Sequence, residues 1–108
     1  MSDNEERFGS LARVYGNEEL QKLHHAHICV VGIGGVGSWV VEALARSGVQ
    51  HLTLIDGDDI SRSNMNRQCH TLESTLGKMK TDVMKQRVLD INPECHVQII
   101  DQYLSDDN

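Results

Sequence analysis

Apolar and polar positions alternate along the chain in blocks whose periods change at glycine, proline and polar stretches. Residues Ile28 to Val31 are apolar at successive positions, the pattern of a parallel strand covered on both faces, which places this strand centrally in a sheet. From Val36, apolar residues recur at Trp39, Val40, Ala43 and Leu44, the spacing of a helix packed on a sheet, until Gly48 stops it. Leu52 to Ile55 predict a second strand. Met79, Val83, Met84, Val88 and Ile91 form the stripe of a second helix over 78–91, ended by Asn92-Pro93, and Val97 to Ile100 predict a third strand. Upstream, Asn17 is placed to cap a short helix through His25, preceded by an arm from Arg7 to Gly16.

The order β-α-β-α-β is one mononucleotide-binding half of a doubly wound α/β fold, a Rossmann-like parallel sheet with an N-terminal helical arm. Residues 1–26 are the arm and short helix, and residues 27–108 an incomplete N-terminal half of a nucleotide-binding domain. With 108 residues the chain fills one modest domain, short for a free-standing enzyme of this class.

Between the first strand and the first helix lies Gly-Ile-Gly-Gly-Val-Gly, residues 32–37. Gly32 permits a tight exit from the strand, Gly34 and Gly35 let backbone approach a ligand, and Gly37 lets the helix pack close to the sheet. The helix then aims its unpaired N–H groups at an anion. Asp56 ends the second strand at the spacing expected of a carboxylate that holds ribose hydroxyls. A right-handed crossover brings it beside the glycine turn, at the sheet edge where ligands bind in such folds. Residues 57–68 have neither period and read as an irregular segment passing over that edge.

Charge refines this picture. The net charge of −6 opposes general affinity for nucleic acid, but Arg62, Arg67, Lys78, Lys80, Lys85 and Arg87 face only Glu73 and Asp82 between Ser61 and Val88. Most such cations belong to solvated faces. Arg67 and Lys80 are the two placed to reach the nucleotide edge, Arg67 as a planar fork and Lys80 as a point charge. A hydride-carrying dinucleotide needs few added cations, whereas attack on an α-phosphate builds charge that such groups stabilise. Cys29, Cys69 and Cys95 are odd in number and widely separated, so they suggest reduced thiols rather than a zinc pair or disulfide framework. His24, His25 and His27 lack the spacing of metal ligands and read as surface residues. No signal peptide or membrane span is visible, so the expected location is the cytoplasm.

Several ordered motifs carry a resemblance. GIGGVGS at Gly32–Ser38, ExLARxGV at Glu42–Val49, LIDxD at Leu54–Asp58, SNxNRQ at Ser63–Gln68, GxxK at Gly77–Lys80 and INP at Ile91–Pro93 resemble the ThiF-like adenylating family, which includes ubiquitin-activating, thiamine-pathway and molybdopterin-pathway activators. Within it, RFGSLARVYG at Arg7–Gly16 and HICVVGIGGVGSW at His27–Trp39 are similar to the tRNA threonylcarbamoyladenosine dehydratase branch.

The resemblance implies binding of Mg–ATP and transfer of adenylate to a carboxylate, in that branch one on a tRNA nucleoside, with ring closure and net loss of water to follow. Gly35 would lie against the phosphates and Asp56 would hold the ribose. Ser63, Asn64 and Asn66 would shape the phosphate edge, and Arg67 and Lys80 would stabilise charge at the α-phosphate. Family members send an arginine from the arm into a neighbouring subunit's site, for which Arg13 is favoured over Arg7, so a homodimer is expected. The Mg²⁺ ligand and the catalytic-loop cysteine are expected beyond Asn108, which leaves this portion inactive alone. Activation of a sulfur-carrier or ubiquitin-like protein, with sulfur-transfer partners, and nicotinamide-dependent oxidoreduction stay open as alternatives.

Overall fold

The computed structural model describes residues 3–11, 13 and 16–106. Ala12, Val14 and Tyr15 of the predicted arm, and Asp107 and Asn108 of the acidic tail, lie outside the described residues. The described elements are α1 (Asp3–Phe8), α2 (Asn17–His25), β1 (His27–Val31), α3 (Gly37–Arg46), β2 (His51–Ile55), α4 (Lys80–Ile91) and β3 (His96–Ile100), with short 3-10 turns at Gly9–Leu11, Arg62–Asn64 and Glu73–Thr75. Observed boundaries differ from the predicted ones by one or two residues, and Asn17 opens α2 with Gly16 in the cap position.

The three strands are parallel and run β1-β2-β3 across the sheet, with His27, His51 and His96 in register at one end and Val31, Ile55 and Ile100 at the other. β2 is therefore central. The expectation that β1 is central does not hold, because among the described residues β1 pairs with β2 alone, and Cys29 and Val31 stand exposed. Its unbroken apolar run says that both faces tolerate burial; it does not say which neighbours exist. Helices α3 and α4 pack on each other and on the strands. Val30, Leu52 and Leu54 meet Val41 and Ala45 of α3 and Met84 and Val88 of α4 in the core.

The face of α3 that meets the core differs from the predicted one. Val36 is 79% exposed, and Trp39, Val40 and Ala43 also face outward, with Leu44 at the margin. Ser38, Val41, Glu42 and Ala45 are buried instead. The cause lies at the start of the helix. A Cβ on Gly37 would fall 1.8 Å from the Gly32 carbonyl oxygen, so this glycine is seated directly on the turn. Positions four and eight residues further, Val41 and Ala45, then follow on the same face. At the other end of the chain order, Phe8 is buried with its ring edge against His24 at 6.0 Å, which ties α1 to the end of α2.

The reversal of the α3 faces gives a direct test. Val41→Ala is expected to lower unfolding free energy by about 2 kcal/mol, because it opens a cavity in close-packed surroundings. Val40→Ala one residue earlier should change it by less than about 0.5 kcal/mol. Urea denaturation midpoints of the two variants check both values.

Candidate nucleotide-binding edge

The carboxyl ends of the strands carry the site, and its centre is residue Ile33. Gly32 leaves β1 with a φ of 86°, a conformation that side chains disfavour, and its N–H donates to the Ile55 carbonyl at 2.8 Å. Ile33 is fully buried. Its N–H donates to Asp56 Oδ2 at 2.7 Å, and its carbonyl accepts from His70 Nε2 at 2.8 Å. Because a carbonyl only accepts, His70 carries its proton on Nε2, and Nδ1 accepts from the Thr71 hydroxyl at 3.1 Å. Burial holds the His70 pKa below 6.5, against the opposing influence of the Ile33 carbonyl.

With Ile33 held at both ends, the N–H groups of Gly34, Gly35 and Val36 have no partner within the described chain. They sit at the amino end of α3, where the helix dipole is positive. A Cβ on Gly34 would come no closer than 3.8 Å to any protein atom, and one on Gly35 no closer than 3.5 Å. Protein packing therefore does not demand glycine at these two positions, in contrast to Gly37.

The stem of Arg67 is the group nearest Gly35. Its guanidinium Nη1 donates to the Ser63 carbonyl at 3.1 Å and to Asn66 Oδ1 at 3.0 Å, while the Trp39 indole N–H donates to the Arg67 carbonyl at 2.8 Å. Asn64 is buried, and its Oδ1 accepts from the Ser61 backbone N–H and hydroxyl, so it holds the short turn together. Lys80 opens α4 and is 5% exposed, with Nζ 3.6 Å from Asp58 Oδ2. Its charge also acts on His70, as does that of Asp56. Asp56, Arg67 and Lys80 are thus brought to one edge around the glycine turn. Arg13 is exposed.

Three residues here escaped the sequence reading: Asp58, Gln68 and His70. Asp56 spends one oxygen on Ile33 and the other on the Asp58 N–H at 2.9 Å, so its carboxylate shapes the turn. The Asp58 carboxylate, about half exposed, stands free of the backbone and is held by Lys80 and the Tyr103 hydroxyl. Gln68 is buried beside Gly34, and its Oε1 has no hydrogen-bond partner among the described residues. A buried amide oxygen left open is costly unless something else supplies a donor. His70 carried no sequence signal at all, since a lone histidine in a polar stretch reads as surface.

The other chemistry-bearing groups are quiet. Burial pushes the Cys95 thiol up to about 11 and raises that of Cys69, and both S–H groups lie 3.3 Å from carbonyl oxygens. Among the described residues no group of three or more His, Cys, Asp or Glu is placed to hold a metal ion. No helix among them is long and apolar enough to cross a membrane.

Two measurements test this geometry. Gly37→Ala should lower stability by about 3 kcal/mol through collision with the Gly32 carbonyl, whereas Gly35→Ala should change it by less than about 0.5 kcal/mol. Urea titration distinguishes them. For His70, the folded state binds its proton more weakly than the unfolded chain, so its stabilising contribution is complete above pH 6.5 and is lost as pH falls through the lowered folded pKa. The difference in unfolding free energy between the natural chain and His70→Gln should therefore be constant above pH 6.5 and shrink below it.

Comparison with known proteins identifies the family. The model of the ThiF family matches residues 8–108. The tRNA threonylcarbamoyladenosine dehydratase of Haemophilus influenzae is 60% identical over 104 residues, covering 96% of this chain and 40% of the relative. The Escherichia coli protein of the same name is 53% identical over 103 residues, covering 95% of this chain and 38% of the relative. A crystal structure of that Escherichia coli dehydratase, TcdA, in complex with ATP superposes with a TM-score of 0.95 at 53% identity, covering 99% of this chain and 44% of the other. The chain thus spans about two fifths of the length of these relatives. With its Rossmann-like parallel sheet and its glycine turn at the strand ends, this chain belongs to the ThiF family.

Proposed function

We propose that this chain forms the ATP-binding half of an enzyme that adenylates the carboxylate of threonylcarbamoyladenosine in tRNA and closes it to the cyclic form. One observation supports this above all: free N–H groups at the head of α3 converge with Arg67 and Lys80 on one edge, the arrangement an α-phosphate under attack requires. The high identity to dehydratases over nearly the whole chain supports this choice of substrate.

In this reading Gly32, Gly34, Gly35 and Gly37 form the phosphate cradle. Asp56 fixes the cradle's shape, and Asp58 faces the ribose hydroxyls, freed from Lys80 when phosphate takes its place. Ser63 and Asn66 aim Arg67 at the phosphates, Asn64 keeps their turn closed, and the open Gln68 oxygen meets a donor from the ligand side. The carboxylate oxygen attacks the α-phosphorus and pyrophosphate leaves. The resulting mixed anhydride then loses AMP as the ring closes, so the oxygen formally lost as water departs on AMP.

Among the described residues no cluster of His, Cys, Asp or Glu is placed to hold the Mg²⁺ that accompanies ATP. Arg13 is the arm arginine offered to a neighbouring subunit in a cytoplasmic homodimer. Any link to sulfur-transfer proteins rests on the wider family.

The test uses this chain joined to the C-terminal portion of the Haemophilus influenzae relative. Incubated with ATP and tRNA, the product nucleosides should show loss of one water from threonylcarbamoyladenosine by mass. Arg67→Ala and Lys80→Ala should each reduce ATP–pyrophosphate exchange by roughly a hundredfold or more, with little change in the unfolding midpoint. Exchange that survives both substitutions, or ATP binding indifferent to Gly35→Ala, would overturn the assigned roles.

A further inference from the structure

A second group of cations lies away from the nucleotide edge. Arg7 of α1, Arg46 at the end of α3, and Arg87 and Asp90 of α4 line a depression of about 540 Å³, with Phe8 and Ile91 as its apolar walls. The depression is organised from below by Glu42. This carboxylate is almost buried on the inner face of α3, accepts from Arg46 Nε at 2.7 Å, and takes two further bonds from Arg87 Nε and Nη2. Burial raises the Glu42 pKa, but the bonds from Arg87 and Arg46 outweigh that and hold it below the ordinary value.

One carboxylate thus sets two guanidinium planes side by side and neutralises only one of them. The remaining η N–H groups of Arg46 and Nη1 of Arg87 have no partner among the described residues, and Arg7 makes no ion pair there either. Counting Arg7, Arg46 and Arg87 against Glu42 and Asp90 leaves a single positive charge. That balance suits a phosphodiester, which carries one negative charge, better than a doubly charged phosphomonoester. Planar forks are also the donors that match phosphate oxygens in pairs.

Position agrees with this chemistry. Lys80 and Arg87 are seven residues apart on α4, so the depression lies about 10 Å along the helix from the nucleotide edge. An RNA strand whose reacting nucleoside sits at that edge brings the phosphates of nearby nucleotides within such a distance. In a chain of net charge −6, diffuse attraction to nucleic acid is absent, so binding must be built locally.

We propose that the Arg7–Arg46–Arg87 depression binds the phosphodiester backbone of the tRNA substrate, at a site distinct from the ATP edge. This rests on the tRNA reading above, and its test separates the two. Binding of tRNA and of ATP to this chain is measured for the natural sequence, Arg46→Gln, Arg46→Lys and the double variant Arg7→Gln/Arg46→Gln, with Glu42 and Arg87 left in place.

The double variant should bind tRNA roughly tenfold more weakly, and its plot of log affinity against log salt should flatten by about 1 to 2, since each phosphate that is no longer neutralised removes about 1 or slightly less from the slope. Arg46→Lys should keep the salt slope, since its charge remains. ATP affinity should stay unchanged in all of them. Unaltered tRNA affinity and salt slope in the double variant would overturn the proposal while leaving the ATP edge intact. Stabilisation by inorganic phosphate that the double variant abolishes, without any change in tRNA binding, would overturn it in favour of a small-anion site. Loss of ATP binding in the natural chain would sink the functional reading itself.

Discussion

The peptide groups flanking Ile33 are the constraint on which the site depends. The residue is buried, and its N–H and carbonyl are taken by a carboxylate at the end of β2 and by a histidine from the irregular segment. A hydrogen bond to a charged group contributes about 1.5–3 kcal/mol, and leaving a buried peptide unpaired costs a similar amount, so this position has little freedom. Because Ile33 cannot turn, the following N–H groups cannot fold back onto it and are left facing outward at the head of α3. The cradle's backbone is therefore held by the protein's own groups.

The same residue joins parts of the chain that are distant in sequence. Asp56 lies 23 residues downstream of Ile33 and His70 lies 37 downstream. Arg67 and Gln68 sit just before that histidine, so once His70 is seated, the segment delivering the arginine is placed as well. Trp39 adds a second tie by donating to the Arg67 carbonyl from the outward face of α3. Electrostatics at this edge joins a third segment to the site. The buried Lys80 ammonium faces the half-exposed Asp58 carboxylate at 3.6 Å.

The strands, both crossover helices and the meeting of Asp56 with the glycine turn were legible in the sequence, because apolar runs and glycine spacing are local signals and the crossover hand is nearly fixed. What failed was the choice between two apolar stripes on α3. Val36, Trp39, Val40 and Ala43 make the more hydrophobic stripe, yet Gly37, Val41 and Ala45 face the sheet. Hydrophobicity measures willingness to be covered, while close approach to a sheet is decided by small side chains and by one steric collision at Gly32. The division of labour between Asp56 and Asp58 was hidden for a related reason. Spacing locates a carboxylate near the turn but does not reveal which backbone groups will claim it.

The outward stripe of α3 also carries a consequence for assembly. Val36, Trp39 and Val40 are exposed on the helix that directly follows β1, and among the described residues β1 itself offers an unpaired edge with Val31 exposed at its end. Open strand edges and contiguous apolar surface are each liabilities in water. Here both belong to one β-α unit, the strand β1 and the helix α3 that follows it. Trp39 couples that surface to the nucleotide edge, since its indole holds the Arg67 carbonyl.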